Sequence, residues 1–284
     1  MTTPRRALVA VDIRPLSSHL TPDWAELWAY RDLLWMFAVR DVQVRYKQTL
    51  FGVAWAIVQP VMMMVVMTLI FGKGLGLEDT YIPGVPYAVG YLAAQIVWSF
   101  FAAALTSSAN SLVANAAIVR KAYFPRLLLP LAATSTAMVD FAVAFVVYLV
   151  VTVTMGVVPD SRLLLLPLVL IGTAITTLGL GLWLSALMVT YRDVRFVVPY
   201  CVQVGFFVTP VIWWEQPLAT RLDPWGVLLY LNPISGPLTT FRDIMTGQPI
   251  DWAGWAVSTS VGVAVLVFGL RYFVRTEALF ADVA

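Results

Sequence analysis

Asp140 is the one acidic residue set well inside a long apolar run of this sequence, between Ala137-Met138-Val139 and Phe141-Ala142-Val143. An aspartate at the centre of a membrane-spanning helix costs about 2.5–3.5 kcal/mol on insertion scales, so such a group faces a cavity or a partner. Three kinds of chemistry fit it. It can accept structural hydrogen bonds, with Thr134, Ser135 and Thr136 within two turns and a neighbouring helix as a further donor. It can line a channel, or it can relay protons, although ion-coupled carriers usually bring more than one such group. The residues leave these readings open.

Other reactive arrangements are missing. No Gly-x-x-x-x-Gly-Lys-Ser/Thr string occurs, so the chain does not bind ATP through a P-loop. Gly72, Gly74 and Gly76 around Lys73 read as a turn rather than a phosphate cradle. His19 is the only histidine and Cys201 the only cysteine, which leaves no triad, zinc site or internal disulfide to build. Acidic residues near the ends of apolar runs, such as Asp41 and Asp193, are scattered singly, each beside an arginine. Catalysis, a metal site and a cofactor in this chain are therefore not expected. Aromatic residues are plentiful in the apolar runs, among them Tyr87, Tyr91 and Trp98. They fit either a lipid-facing belt or a path on which sugar rings stack.

The elements that must carry these residues follow from composition. Hydrophobic residues make up 60% of the 284 and charged residues 12%, about half the charged share usual in a soluble domain. Lipid must therefore solvate much of the surface, and one membrane domain is expected. Crossing ~30 Å of hydrocarbon takes ~20 apolar residues at 1.5 Å each. Six runs qualify: 50–71, 86–107, 127–155, 163–190, 195–214 and 252–273. They lack the alternation of a barrel, so helices are expected. With six spans both termini share a side, and that side carries 14 of the 18 Lys and Arg residues. The positive-inside rule puts it in the cytoplasm. No cleaved signal peptide is expected, since the first 40 residues contain no apolar core before a small-residue cleavage site.

The expected organisation is an all-α integral membrane protein. A cytoplasmic segment, 1–30, precedes an amphipathic helix, 31–49, with a basic face of Arg40, Gln43 and Lys47. It reads as lying in the interface with that face toward head groups, or as packing on a soluble partner. The membrane domain, 50–273, and a cytoplasmic tail, 274–284, complete it. The stretch from Glu215 to Ile250 is aromatic and broken by Pro233 and Pro237. It reads as a pair of short re-entrant helices between spans five and six, or as an interfacial aromatic belt.

Four strings carry a resemblance: RDVQVRYKQTLFGVAWAIVQP (40–60), VRKAYFPRLLLPLA (119–132), YRDVRFVVPYCVQVGFFVTPVIW (191–213) and LNPISGPLTTFRD (231–243). In this order and spacing the chain resembles, from Trp28 nearly to its end, the type-2 permeases of ABC exporters. The branch it is similar to exports O-antigen, capsule, teichoic acid, galactan and related lipid-linked polysaccharides. The resemblance implies a homodimeric permease in a bacterial inner membrane, driven by two copies of a separate ATPase that holds the Mg-ATP, with no nucleic-acid partner. It implies a lateral lipid gate at Arg45, Lys47, Gln48 and Gly52, where a polyprenyl-pyrophosphate head group would enter. It implies a coupling segment on the ATPase side, with Asn110, Asn115, Arg120, Lys121, Tyr123, Phe124 and Pro125. A sugar path along Tyr87, Tyr91, Trp98 and Asp140 is implied, and an external gate at Trp213, Trp214, Trp225 and Tyr230. Competing expectations are a type-2 permease for a drug or small lipid, an enzyme acting on polyprenyl-phosphate sugars, and an ion-coupled carrier.

Overall fold

The computed structural model describes residues 22–47, 54–77, 84–157, 161–214 and 225–277, and among these the secondary structure is helical throughout. Gln48 and Gly52 lie outside the described residues, as do 1–21 and 278–284. Among the described residues, five helices are long and apolar enough to cross a membrane: Ala54–Gly74, Tyr87–Ala114, Leu128–Thr154, Ser161–Thr190 and Trp252–Thr276. They coincide with five of the six expected runs.

The remaining run, 195–214, is shorter than expected. Its helix covers Val194–Val208 and stops at Thr209, whose extended backbone (φ −82°, ψ 144°) is what the following Pro210 imposes by clashing with a helical predecessor. Fifteen residues rise only ~22 Å, less than the hydrocarbon thickness. Residues 209–214 continue as irregular but mostly buried chain.

In chain order, α1 (Trp24–Ala29) opens at Asp23, whose carboxylate accepts the N–H groups of Ala25 and Glu26 at 2.9 and 3.1 Å. This satisfies two of the donors a helix start leaves without partners. Then come α2 (Arg31–Lys47), α3 (Ala54–Met67, continued by a π turn through Gly74), α4 (Tyr87–Ala114) and the short α5 (Ala116–Val119). The remainder are α6 (Leu128–Thr154), α7 (Leu166–Thr190), α8 (Val194–Val208), a 3-10 turn (Trp225–Leu231), α9 (Ser235–Thr246) and α10 (Trp252–Thr276).

Helix α4 is the hub, buried along most of its length and packed on α6 and α7. The α7–α10 contact depends on glycine. A Cβ on Gly179 would come within 2.6 Å of the Leu266 Cα, and one on Gly269 would collide with the Gly179 carbonyl. Small residues let the two backbones approach closely, the usual means of helix association in lipid.

Helix α9 is buried at all twelve positions. Its start lies against the second turn of α10: the Gly236 N–H donates to Ser258 Oγ at 3.0 Å, and that hydroxyl donates to the Tyr230 carbonyl at 2.8 Å. Its end turns at Gly247, whose φ of 72° suits a residue without a Cβ, and α10 begins five residues later. Residues 230–247 thus pack against the first turns of α10.

Helix α2 departs from the expected amphipathic pattern. Phe37 and Ala38 are buried, while Trp35 and Val44 are exposed beside Gln43, Arg45 and Lys47. Apolar and polar residues mix on the outer surface, and Arg40 of the expected basic face turns inward. The reason is the contact it makes. α2 lies lengthwise on α6 and on the turn before it, with Phe37 5.7 Å from Phe124 between ring centroids. Its other end reaches Asp140, which lies ~18 Å along α6 from Leu128.

Candidate functional site

A cavity of about 700 Å³ opens between the end of α2 and helices α3, α4, α6 and α8. Each wall supplies a distinct group. α2 contributes Arg45 and Tyr46, α3 contributes Trp55 and Gln59, and α4 contributes Gln95, Trp98 and Ser99. α6 contributes Asp140 and Phe141, and α8 contributes Gln203, Phe206 and Phe207. Glutamines and a serine among aromatic rings make the lining amphipathic, suited to hydroxyl-rich groups that present both polar edges and apolar faces.

At the rim an ion pair bridges two helices. Arg45 Nη2 lies 2.7 Å from Asp140 Oδ2, and the Tyr46 hydroxyl donates to Asp140 Oδ1. The donors for the intramembrane acid thus come from α2. Thr134 and Ser135, one to two turns away on its own helix, bond instead to the carbonyls of Pro130 and Leu131. Burial first, and then the hydrogen bond to Asp140 with its negative charge, push the Tyr46 hydroxyl up to about 12, so it stays a donor.

Of the residues expected at the gate and along the path, Arg45, Trp98 and Asp140 meet in this one cavity. Lys47 is exposed at the end of α2 and does not line it. Tyr87 and Tyr91 are buried in helix packing, because α4 is surrounded there. Tyr91 still reaches the cavity indirectly: its hydroxyl donates to Gln95 Oε1 at 2.9 Å, and Gln95 Nε2 donates to Ser99 Oγ at 3.2 Å. Tyr87 instead donates to the Ile212 carbonyl at 2.7 Å.

That carbonyl belongs to the irregular segment 209–214, whose buried backbone oxygens need donors. Arg242 supplies two, with Nη1 2.9 Å from the Pro210 carbonyl and 3.3 Å from that of Trp213. Asn232 Nδ2 donates to Thr209 Oγ1 at 2.8 Å, and Trp213 Nε1 to the Phe207 carbonyl at 3.1 Å. Trp214 is buried beside Tyr87, at 5.8 Å between centroids. Tyr230 is buried too, under the start of α10, while Trp225 begins the 3-10 turn. Arg242 was not foreseen as a site residue. The signal for it was an arginine in a segment read as re-entrant, where only a buried partner justifies a charge.

At the opposite end of α4 the expected coupling residues divide into two groups. Asn110, Arg120, Lys121 and Tyr123 are exposed. Phe124 is buried against Phe37, and Pro125 is half-buried. Asn115 accepts from Arg40 Nη2 at 2.9 Å through Oδ1 and donates to the Ser111 carbonyl through Nδ2. Arg40 also holds Asp41 at 2.7 Å. Nearby, Glu277 Oε1 accepts the Arg126 N–H at 3.2 Å, and burial pushes the Glu277 carboxyl up despite that bond. Among the described residues no three His, Cys, Asp or Glu side chains gather as metal ligands.

Comparison with known proteins gives a consistent picture. Residues 32–246 match the family described as ABC-2 type transporter. Similar curated proteins include two from Klebsiella pneumoniae, each named O-antigen export system permease protein RfbA. They are 26% and 25% identical, over 89% of this chain and 95% of the relative. A protein of the same name from Myxococcus xanthus is 28% identical over 77% of this chain and 82% of its own.

Proposed function

Since the chain belongs to the ABC-2 type transporter family, a family of multi-pass transport permeases that work with an ATP-binding subunit, we propose that its cargo is a polysaccharide carried on a polyprenyl pyrophosphate. The names of its relatives support the glycan. The cavity supports the lipid-linked form and is the observation that carries the reading. One rim cation, Arg45, lies beside a 700 Å³ space lined by aromatic rings and glutamines. A pyrophosphate needs the first and a sugar chain the second.

In this reading the head group enters from the cytoplasmic leaflet beside the end of α2, and the glycan then slides past Trp98, Phe206 and Gln203. Segment 209–214 closes the far end. α8 with that segment forms the fifth span in chain order, and the stretch 230–247 beside α10 is the re-entrant part of an external gate. Both termini face the cytoplasm of a bacterial inner membrane, in keeping with the distribution of Lys and Arg. Two copies of the chain pair with two ATPase subunits, which dock on the exposed residues Asn110, Arg120, Lys121 and Tyr123 and hold the Mg-ATP. The chain breaks no bond in the glycan.

Reconstitution tests the whole reading. Proteoliposomes containing the permease and its ATP-binding partner should move a pyrophosphate-linked glycan to the opposite leaflet only with hydrolysable ATP. Movement by the permease alone, or release of free sugar, would refute it.

A further inference from the structure

We propose that Asp140 is a built-in counter-ion, occupying Arg45 in the resting protein and yielding it to the pyrophosphate of the arriving lipid. This rests on the reading of the cavity as the mouth for such a lipid, and adds how that mouth chooses its anion.

The argument begins with charge. Among the described residues, Arg45 and Asp140 are the only charged ones lining the cavity, and they balance one another while they pair. Any anion arriving there meets a guanidinium whose Nη2 already has a carboxylate oxygen at 2.7 Å. Binding is therefore an exchange of one anion for another at Arg45, and every candidate head group carries the same handicap. Phospholipid head groups offer a single negative charge on a phosphodiester. A pyrophosphate offers more charge and several oxygens for bidentate contact, so it overcomes a competitor that a phosphodiester does not.

Geometry allows the exchange. The Arg45 side chain is 43% exposed against 21% for Asp140, so the cation is the more accessible partner. When Arg45 turns to a phosphate, Asp140 keeps the hydrogen bond from Tyr46 on its other oxygen. The carboxylate is then not left bare in the membrane, which makes the exchange reversible. α2 and α6 are joined at the rim by these bonds, so their exchange also loosens the helix pair that bounds the mouth.

The test is equilibrium binding of geranylgeranyl pyrophosphate to the purified full-length chain in detergent micelles, with inorganic pyrophosphate and phosphatidylglycerol as parallel probes. Asp140→Asn keeps an acceptor for Tyr46 and removes the competing charge; Asp140→Ser is a second neutral variant. Freed of a partner that occupies Arg45 most of the time, these variants should bind the prenyl pyrophosphate about tenfold more tightly. They should also admit phosphatidylglycerol, which the natural chain refuses. Arg45→Gln, alone or combined with Asp140→Asn, should lose binding. Equal affinity in the natural chain and the neutral variants would overturn the counter-ion while leaving the lipid mouth standing. No binding by any of them would overturn both. Inorganic pyrophosphate binding as tightly as its prenyl ester would assign the site to a soluble anion and overturn the proposal. Failure of both neutral variants to fold would reduce the pair to a structural one, with the same result.

Discussion

The guanidinium of Arg242 lies 4.5 Å from the ring centroid of Trp214 and is fully buried. It holds two carbonyls of a segment that has no helix to satisfy them. Arg242→Met keeps most of the volume and removes those donors. It should lower stability by roughly 2–4 kcal/mol, the cost of buried acceptors left without a charged donor, read as thermal unfolding in detergent. An unchanged transition would mean the segment does not depend on Arg242.

Phe124 and Arg120 should respond differently although they stand four residues apart. Phe124→Ala empties a buried contact with Phe37 and should cost about 3 kcal/mol of stability in the permease alone. Arg120→Glu reverses an exposed charge and should leave stability unchanged while weakening co-purification with the ATP-binding subunit. Full retention of the partner would remove Arg120 from the docking surface.

Gly179→Val places a branched side chain where a single Cβ already meets backbone at 2.6 Å. Separation of α7 from α10 should follow, with a loss of about 1–3 kcal/mol or more. Gly156→Ala is the control for a glycine change outside helix packing, since a Cβ there meets nothing within 4 Å. At the φ of 78° found there the alanine is strained, a cost confined to a local turn. Equal melting of the two variants would contradict the close approach.

Glu277 gives a pH signature. Its carboxyl is raised by burial, so the folded chain holds that proton more tightly than the unfolded chain does. Its contribution is therefore present at low pH and is lost as pH rises from the ordinary carboxylate value through the raised one. Protection of the amides of residues 272–277, with exchange corrected for its intrinsic base catalysis, should fall across that window in the natural chain and stay level in Glu277→Gln. Parallel profiles would dismiss the effect.

The long helices were legible because uninterrupted apolar length is itself the physical requirement for crossing lipid. The run 195–214 misled because hydropathy does not register that Pro210 ends a helix two residues before itself. Asp140 was legible as a residue needing a partner, but not which partner: Arg45 lies 95 positions earlier, and only the packing of α2 on α6 brings them together. Tyr87 and Tyr91 look no different in sequence from Trp98. Their separation into packing and cavity depends on which neighbours surround α4.

Helix α2 is fastened at two points, near its middle by Phe37 and Arg40 to the turn at Asn115 and Phe124, and at its C-terminal end by Arg45 and Tyr46 to Asp140. An α-helix does not compress, so a strut pinned in this way has no slack to absorb a push. Displacement at one fastening must be met by rupture or movement at the other. Force applied on the water-facing side thus has a mechanical route to the cavity rim that bypasses the spanning helices.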